Sequence, residues 1–255
     1  MNRTGTIIES EIRDRLVGRG QALFDAPHGP VQFARLDEAD RLLNDLDRHP
    51  HAFVIACVMD RQIKAERAWL IPHAFAEKLG GFSMETLARL SRAEIRDFMA
   101  KPAPLHHYVE KMSGHFWSAV QRMATDYGGD ASGIWAGRPA SAAVVYRFLE
   151  FDGVGPKIAS MAANILARDF KIPFADYYSI DISADVHVRR VFCRLGLCAP
   201  GATIEQLVYK ARALHPAFPG IMDLPSWEIG RNWCKPRSPL CGECYMKDLC
   251  PAAKS

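Results

Sequence analysis

Residues 146–166 read YRFLEFDGVGPKIASMAANIL, and residues 185–197 read DVHVRRVFCRLGL. The first stretch has the pattern helix, tight turn, helix. Ahead of the turn Ala142, Val145, Phe148 and Leu149 recur at helical spacing, and after it Ile158, Met161, Ala162, Ile165 and Leu166 do the same. Each set predicts one buried helix face. Between them Asp152-Gly153-Val154-Gly155 places two glycines around one aliphatic residue. Glycine takes positive φ without steric penalty, so the pair permits a sharp turn with Val154 directed inward. Pro156 suits the first turn of the following helix, where its missing N–H is not needed. Such a turn leaves free amides at a helix N-terminus, and these suit a phosphate oxygen. An ordinary tight αα-turn has the same signature.

Working outward, Asp185 stands at the head of a helix whose predicted buried face is Val188, Val191, Phe192 and Leu195. A carboxylate there is also a good helix cap. Arg189, Arg190 and Arg194 form a basic face expected to be solvated. Residues 8–24 carry Ile8, Ile12, Leu16 and Leu23 among charges, an amphipathic helix that DAPHGP at 25–30 ends. Leu42, Leu43 and Leu46 mark another helix. FVIACVM at 53–59 reads as a buried helix, continuing through the helix formers of RQIKAERAW. Ser83 with Thr86, Ser91 with Glu94 and Thr203 with Gln206 mark helix starts. No β-rich stretch or internal repeat interrupts this pattern. The expectation is an all-α chain of ten or more short helices.

With 255 residues, 49% of them hydrophobic and 24% charged, the composition is that of a globular protein with a substantial core. A net charge of +3 excludes a generally basic, histone-like binder, so any nucleic-acid site must be a local basic surface. No apolar run reaches membrane-spanning length, and MNRTGTIIESEIRDR lacks the apolar block of a signal peptide. The protein is expected in the cytoplasm, at the nucleoid, with no membrane partner.

Four of the seven cysteines cluster in WCKPRSPLCGECYMKDLC at 233–250. Cys234, Cys241, Cys244 and Cys250 give C-x6-C-x2-C-x5-C, a set able to enclose a tetrahedral S4 site for zinc or an iron–sulfur cluster. Spacing alone does not choose the metal. Lys235 and Arg237 lie on this loop as candidate phosphate contacts. Cys57, Cys193 and Cys198 read as core thiols.

The hairpin, the later aspartate and the cysteine spacing together resemble the endonuclease III and MutY group of helix–hairpin–helix DNA glycosylases. The resemblance covers roughly residues 50–255. It implies a [4Fe–4S] cluster in place of zinc, and two helical domains flanking a DNA-binding groove. One, at 50–167, is a six-helix barrel with the hairpin; the other, at 1–49 and 168–255, holds the cluster. It implies that Gly153, Val154 and Gly155 grip the DNA backbone. Gln62 and Leu105 would fill the space left by a flipped base. Lys157 would attack the sugar, and Asp185 would stabilise the positive charge that develops there. The implied protein is a base-excision-repair glycosylase with associated AP lyase activity, a monomer acting on double-stranded DNA with a damaged or modified base. A monofunctional glycosylase, a non-catalytic damage binder and a redox sensor stand as alternatives.

The departures from the group are specific. Asp60 and Ala65 replace small hydroxyl and acidic residues around Gln62. Lys157 and Asp185 are 28 residues apart, because DFKIPFADYYSIDIS at 169–183 contains an insertion. Phe174, Tyr177 and Tyr178 there are candidates either for base stacking or for anchoring the loop. Asp176 and Asp181 are rival carboxylates to Asp185. The chain ends five residues after Cys250, without the extra domain that adenine-excising members use, so the expectation is against adenine as the excised base.

Overall fold

The computed structural model describes residues 3–253. Among them the regular structure is helical throughout, with no strand. The chain divides into two compact units: one of 28–139 with 146–162, the other of the segments up to 27, 140–145 and from 163 onward.

The first unit is built around α3 (Pro50–Met59), every residue of which is buried. A helix that is apolar all round has to be enclosed by others. α2 (Asp37–Asn44), α4 (Ala65–Trp69), α5 (Ile71–Leu79) and α8 (Val109–Asp126) pack on it, and α6 (Met84–Arg89) and α7 (Arg92–Ala100) pack on α8. Phe75 stacks on Phe116 with ring centroids 4.4 Å apart, and Phe53, Phe148 and Phe151 complete a buried aromatic core. His51 is buried with them; its Nε2 meets the Phe82 carbonyl at 2.8 Å, and burial pushes its pKa down to about 4. Ser91 and Glu94 form the expected reciprocal capping box on α7. The helix formers after Met59 do not continue α3. Gln62 takes φ +55°, which an α-helix excludes, and the chain turns before α4.

In the second unit α1 (Arg3–Asp25) and α13 (Asp223–Asn232) pack together, α11 (Val186–Arg194) lies on α13, and α12 (Ile204–Leu214) touches α11. Thr203 and Gln206 cap α12 as expected. Ile12, Leu16, Val188, Val191 and Phe192 are buried.

The hairpin helices are α9 (Ser141–Leu149) and α10 (Pro156–Arg168). Pro156 is the first residue of α10, as expected. The buried positions of α9 are Ser141, Val144 and Phe148, whereas Ala142 and Leu149 are exposed. Phe148 sets the face, and the positions four and seven residues before it share that face. α10 is buried on nearly all sides from Ile158 on, including Asn164, whose side-chain amide donates to the Gly220 carbonyl at 2.8 Å.

Candidate functional site

Of the two hairpin glycines only Gly153 takes positive φ, at +85°. A Cβ at Gly153 would also lie 2.8 Å from the His115 ring, so both conformation and space require glycine. A Cβ at Gly155 would meet no atom within 4 Å, which leaves its backbone approachable. Val154 is buried as expected, and its amide donates to the Phe151 carbonyl at 3.0 Å. Ser118 donates to Asp152 at 2.7 Å and anchors the start of the turn. Lys157 is exposed in the first turn of α10, so any exclusion of water around it must come from a bound partner.

Three loops of this unit are tied together. The Arg61 guanidinium donates to the Gly153 carbonyl at 2.6 Å, joining the Gln62 loop to the hairpin. The Arg61 carbonyl in turn meets Nε2 of the buried His106 at 3.0 Å. His106 Nδ1 accepts from the Tyr108 amide at 3.0 Å, so Nε2 carries the proton, and burial holds the ring's pKa down. Arg67 donates to the carbonyls of Pro104 and Leu105, and the Leu105 amide donates to Met99 at 2.9 Å. Gln62 is exposed and Leu105 half-buried. The two residues therefore sit on loops locked to each other and to the hairpin turn. Arg61 and His106 do this, and neither stands out in the sequence.

In the other unit Asp185 is the N-cap of α11. Its Oδ1 accepts the amides of His187 and Val188, both at 2.8 Å, so the capping role is real and Oδ2 is left for another partner. Of the rival carboxylates, Asp181 has both oxygens engaged and Asp176 one. Asp176 accepts from the Ser141 hydroxyl at 2.5 Å, and Asp181 forms a two-pronged pair with Arg212 at 2.8 Å on each prong. The insertion's aromatics separate by role. Tyr177 stacks on Phe218 at 4.9 Å and meets the edge of Phe24 at 5.5 Å, and Phe174 is buried. Tyr178 is 64% exposed.

The four cysteines line one cavity of about 260 Å³ with Trp233, Ile229 and Met246. Four cysteine sulfurs around one cavity are the donor set that an iron–sulfur cluster takes. The residues fit a cluster. Burial, then the neighbouring cysteines, push the Cys244 thiol up, and a bound metal reverses that preference.

The basic face of α11 is not simply solvated. Arg194 donates to Cys234 Sγ at 3.3 Å, to the Lys235 carbonyl at 2.7 Å and to the Pro236 carbonyl at 3.0 Å. Arg190 donates to the carbonyls of Cys234 at 2.6 Å and Gly230 at 2.9 Å. Only a glycine at 230 lets α13 approach α11 this closely, because a Cβ there would lie 2.7 Å from His187 Cβ. The helix capped by Asp185 thus grips the cysteine loop at its other end. Lys235 donates to the Arg231 carbonyl and is committed to the loop, while Arg237 is exposed. Cys57 is a buried core thiol, as expected.

Comparison with known proteins places these features. Residues 234–250 match the family model described as the iron–sulfur binding domain of endonuclease III. The chain is 29% identical over 158 residues to endonuclease III of Thermotoga maritima, covering 59% of this chain and 64% of that one. It is 36% identical over 100 residues to endonuclease III of Escherichia coli, covering 38% and 42%. The matched regions thus span less than two thirds of those relatives. A non-covalent endonuclease III–DNA complex superposes with a TM-score of 0.65 at 19% identity, covering 96% of each chain. At that identity the likeness is one of fold. The match supports a [4Fe–4S] cluster as the cofactor of this segment, which contains Cys234, Cys241, Cys244 and Cys250. No helix among the described residues is long and apolar enough to cross a membrane.

Proposed function

We propose that this endonuclease III-like helix–hairpin–helix protein is a base-excision-repair DNA glycosylase with associated AP lyase activity. Its partner is double-stranded DNA with a damaged or modified base, and it acts as a monomer at the nucleoid. The unit with the hairpin is the six-helix barrel, and the unit with the cysteines is the cluster domain. The observation that carries the reading is the hairpin turn, with open backbone at Gly155 and Lys157 one residue into α10. A helix N-terminus of this kind takes a phosphate oxygen. The Lys157 amine then attacks C1′ as the C1′–N bond breaks and the base leaves with a proton. The C1′–O4′ bond then opens, O4′ taking a proton, to give the imine; this loses a proton from C2′, and the bond from C3′ to its phosphate breaks. Asp185 stabilises the positive charge that develops on the sugar. Gln62 and Leu105 fill the space of the rotated base, and Arg237 takes a backbone phosphate.

A panel of duplexes with oxidised, deaminated and alkylated bases, scored for base release and strand nicking, tests this reading. Borohydride should trap the wild type covalently on the duplex it cuts fastest. Lys157→Ala should not be trapped, and Asp185→Asn should release base far more slowly. Trapping of Lys157→Ala at the wild-type level overturns the role of Lys157. Base release without trapping by the wild type makes the enzyme monofunctional.

A further inference from the structure

Asp223 opens α13, and its carboxylate accepts the Ser183 amide at 2.6 Å. Ser183 is buried, and its own carbonyl accepts the Asp185 amide at 2.5 Å. One residue of one helix therefore holds the backbone two residues ahead of the proposed charge-stabilising carboxylate. The rest of the same helix holds the body of α11, through the close contact of Gly230 with His187 and through Arg190 on the Gly230 carbonyl. α13 is thus a platform that holds both α11 and the segment leading into it.

We infer that Asp223 is a positioning residue for Asp185, setting the path of residues 183–185 and so the place at which the Asp185 side chain is presented. This rests on the reading that Asp185 serves the glycosylase reaction. The surroundings of Asp223 support a specific role over a general one. Its carboxylate is enclosed, although the residue as a whole keeps some exposed surface. Burial pushes its pKa up to about 6, Asp185 adds to that, and Arg168 and the Ser183 amide oppose it. Arg168 is itself paired with Asp169, at 3.0 and 2.6 Å. Burying a carboxylate with so little charge compensation is unfavourable, and such groups recur where geometry serves chemistry. An apolar side chain would fill the same volume at less cost, but it would not accept the Ser183 amide.

The test compares Asp223→Ala and Asp223→Asn with wild type, all as cluster-loaded full chains. Single-turnover base release at saturating DNA should fall about tenfold or more in Asp223→Ala, the scale expected for a displaced catalytic group. DNA affinity should stay within about twofold of wild type, since no phosphate contact is touched. Asn keeps an acceptor for the Ser183 amide and should recover most of the rate. Hydrogen exchange supplies a readout that does not need activity. Amides of residues 183–188 should exchange faster in Asp223→Ala, return toward wild type in Asp223→Asn, and leave 204–214 unchanged. Wild-type base release and wild-type exchange at 183–188 in Asp223→Ala overturn the inference, and so does faster exchange spread evenly over the unit. If the wild type releases no base from any duplex, the glycosylase reading fails, and the exchange experiment still decides whether Asp223 holds this segment.

Discussion

Arg194 gives the sharpest test of how the cysteine loop is held. Its guanidinium makes three contacts with one short stretch: Cys234 Sγ at 3.3 Å, the Lys235 carbonyl at 2.7 Å and the Pro236 carbonyl at 3.0 Å. A hydrogen bond from a charged donor contributes about 1.5–3 kcal/mol when shielded. Arg194 is half-buried, so the three together are discounted to about 2 kcal/mol. At about 1.4 kcal/mol per decade, Arg194→Ala opens the loop about thirtyfold more often. Iron loss to a chelator, followed by the fading of the cluster's visible absorbance, should accelerate by at least about tenfold. Arg194→Lys should fall between the two, because an ammonium cannot reach the sulfur and two diverging carbonyls at once. The reduction potential should also drop in Arg194→Ala, since a donor to a ligating sulfur favours the reduced, more negative cluster. Chelator resistance equal to wild type in Arg194→Ala would refute the claim that α11 clamps the loop.

Gly153→Ala combines a positive φ of +85° with a Cβ 2.8 Å from the His115 ring. It should destabilise by about 1–3 kcal/mol and weaken binding to undamaged duplex in an anisotropy titration, because the turn that presents the amides is displaced. Asp181→Asn should leave base release within about twofold of wild type, since Asp181 is paired with Arg212, while Asp185→Asn loses it; equal losses would undo the sorting of the carboxylates. Asp223 also makes stability depend on pH. Its pKa is raised from 3.8 to about 6 in the folded state, so between those values the native protein binds more protons than the unfolded chain. Stability therefore falls as pH rises through that window, and a thermal-melt series in Asp223→Asn should show a flatter pH dependence there.

The periodicity of the sequence was enough for the all-α class, the capping boxes at Ser91 and Thr203, the buried α3 and the start of α10 at Pro156. These are local features: spacing, turn chemistry and caps act within a few residues, so they are legible without the rest of the chain. The buried face of α9 was not legible to the residue. A nine-residue helix with apolar side chains on several sides has no single phase, and the packing of Phe148 and Ser141 chose one. Gln62 ended a run of helix formers for a tertiary reason, since Arg61 and His106 tie that loop to its neighbours.

The candidate site divides along the same line. The cysteine spacing and the sequence DGVGPK carry their chemistry in adjacent residues, so the cluster loop and the hairpin were readable from the chain alone. Which carboxylates are tied by tertiary contacts was not, because the partners of Asp176 and Asp181, Ser141 and Arg212, lie far along the chain. The same holds for Arg190 and Arg194, which look like a solvated face until α11 is laid against the loop 40 residues later, and for Asp223, which meets Ser183 from 40 residues away. Sequence by itself determined the cysteine spacing and the turn, whose geometry is set by neighbours along the chain. Only the tertiary structure decided which charges are committed and which stay on the surface, because a charge is spoken for by whatever folding brings beside it.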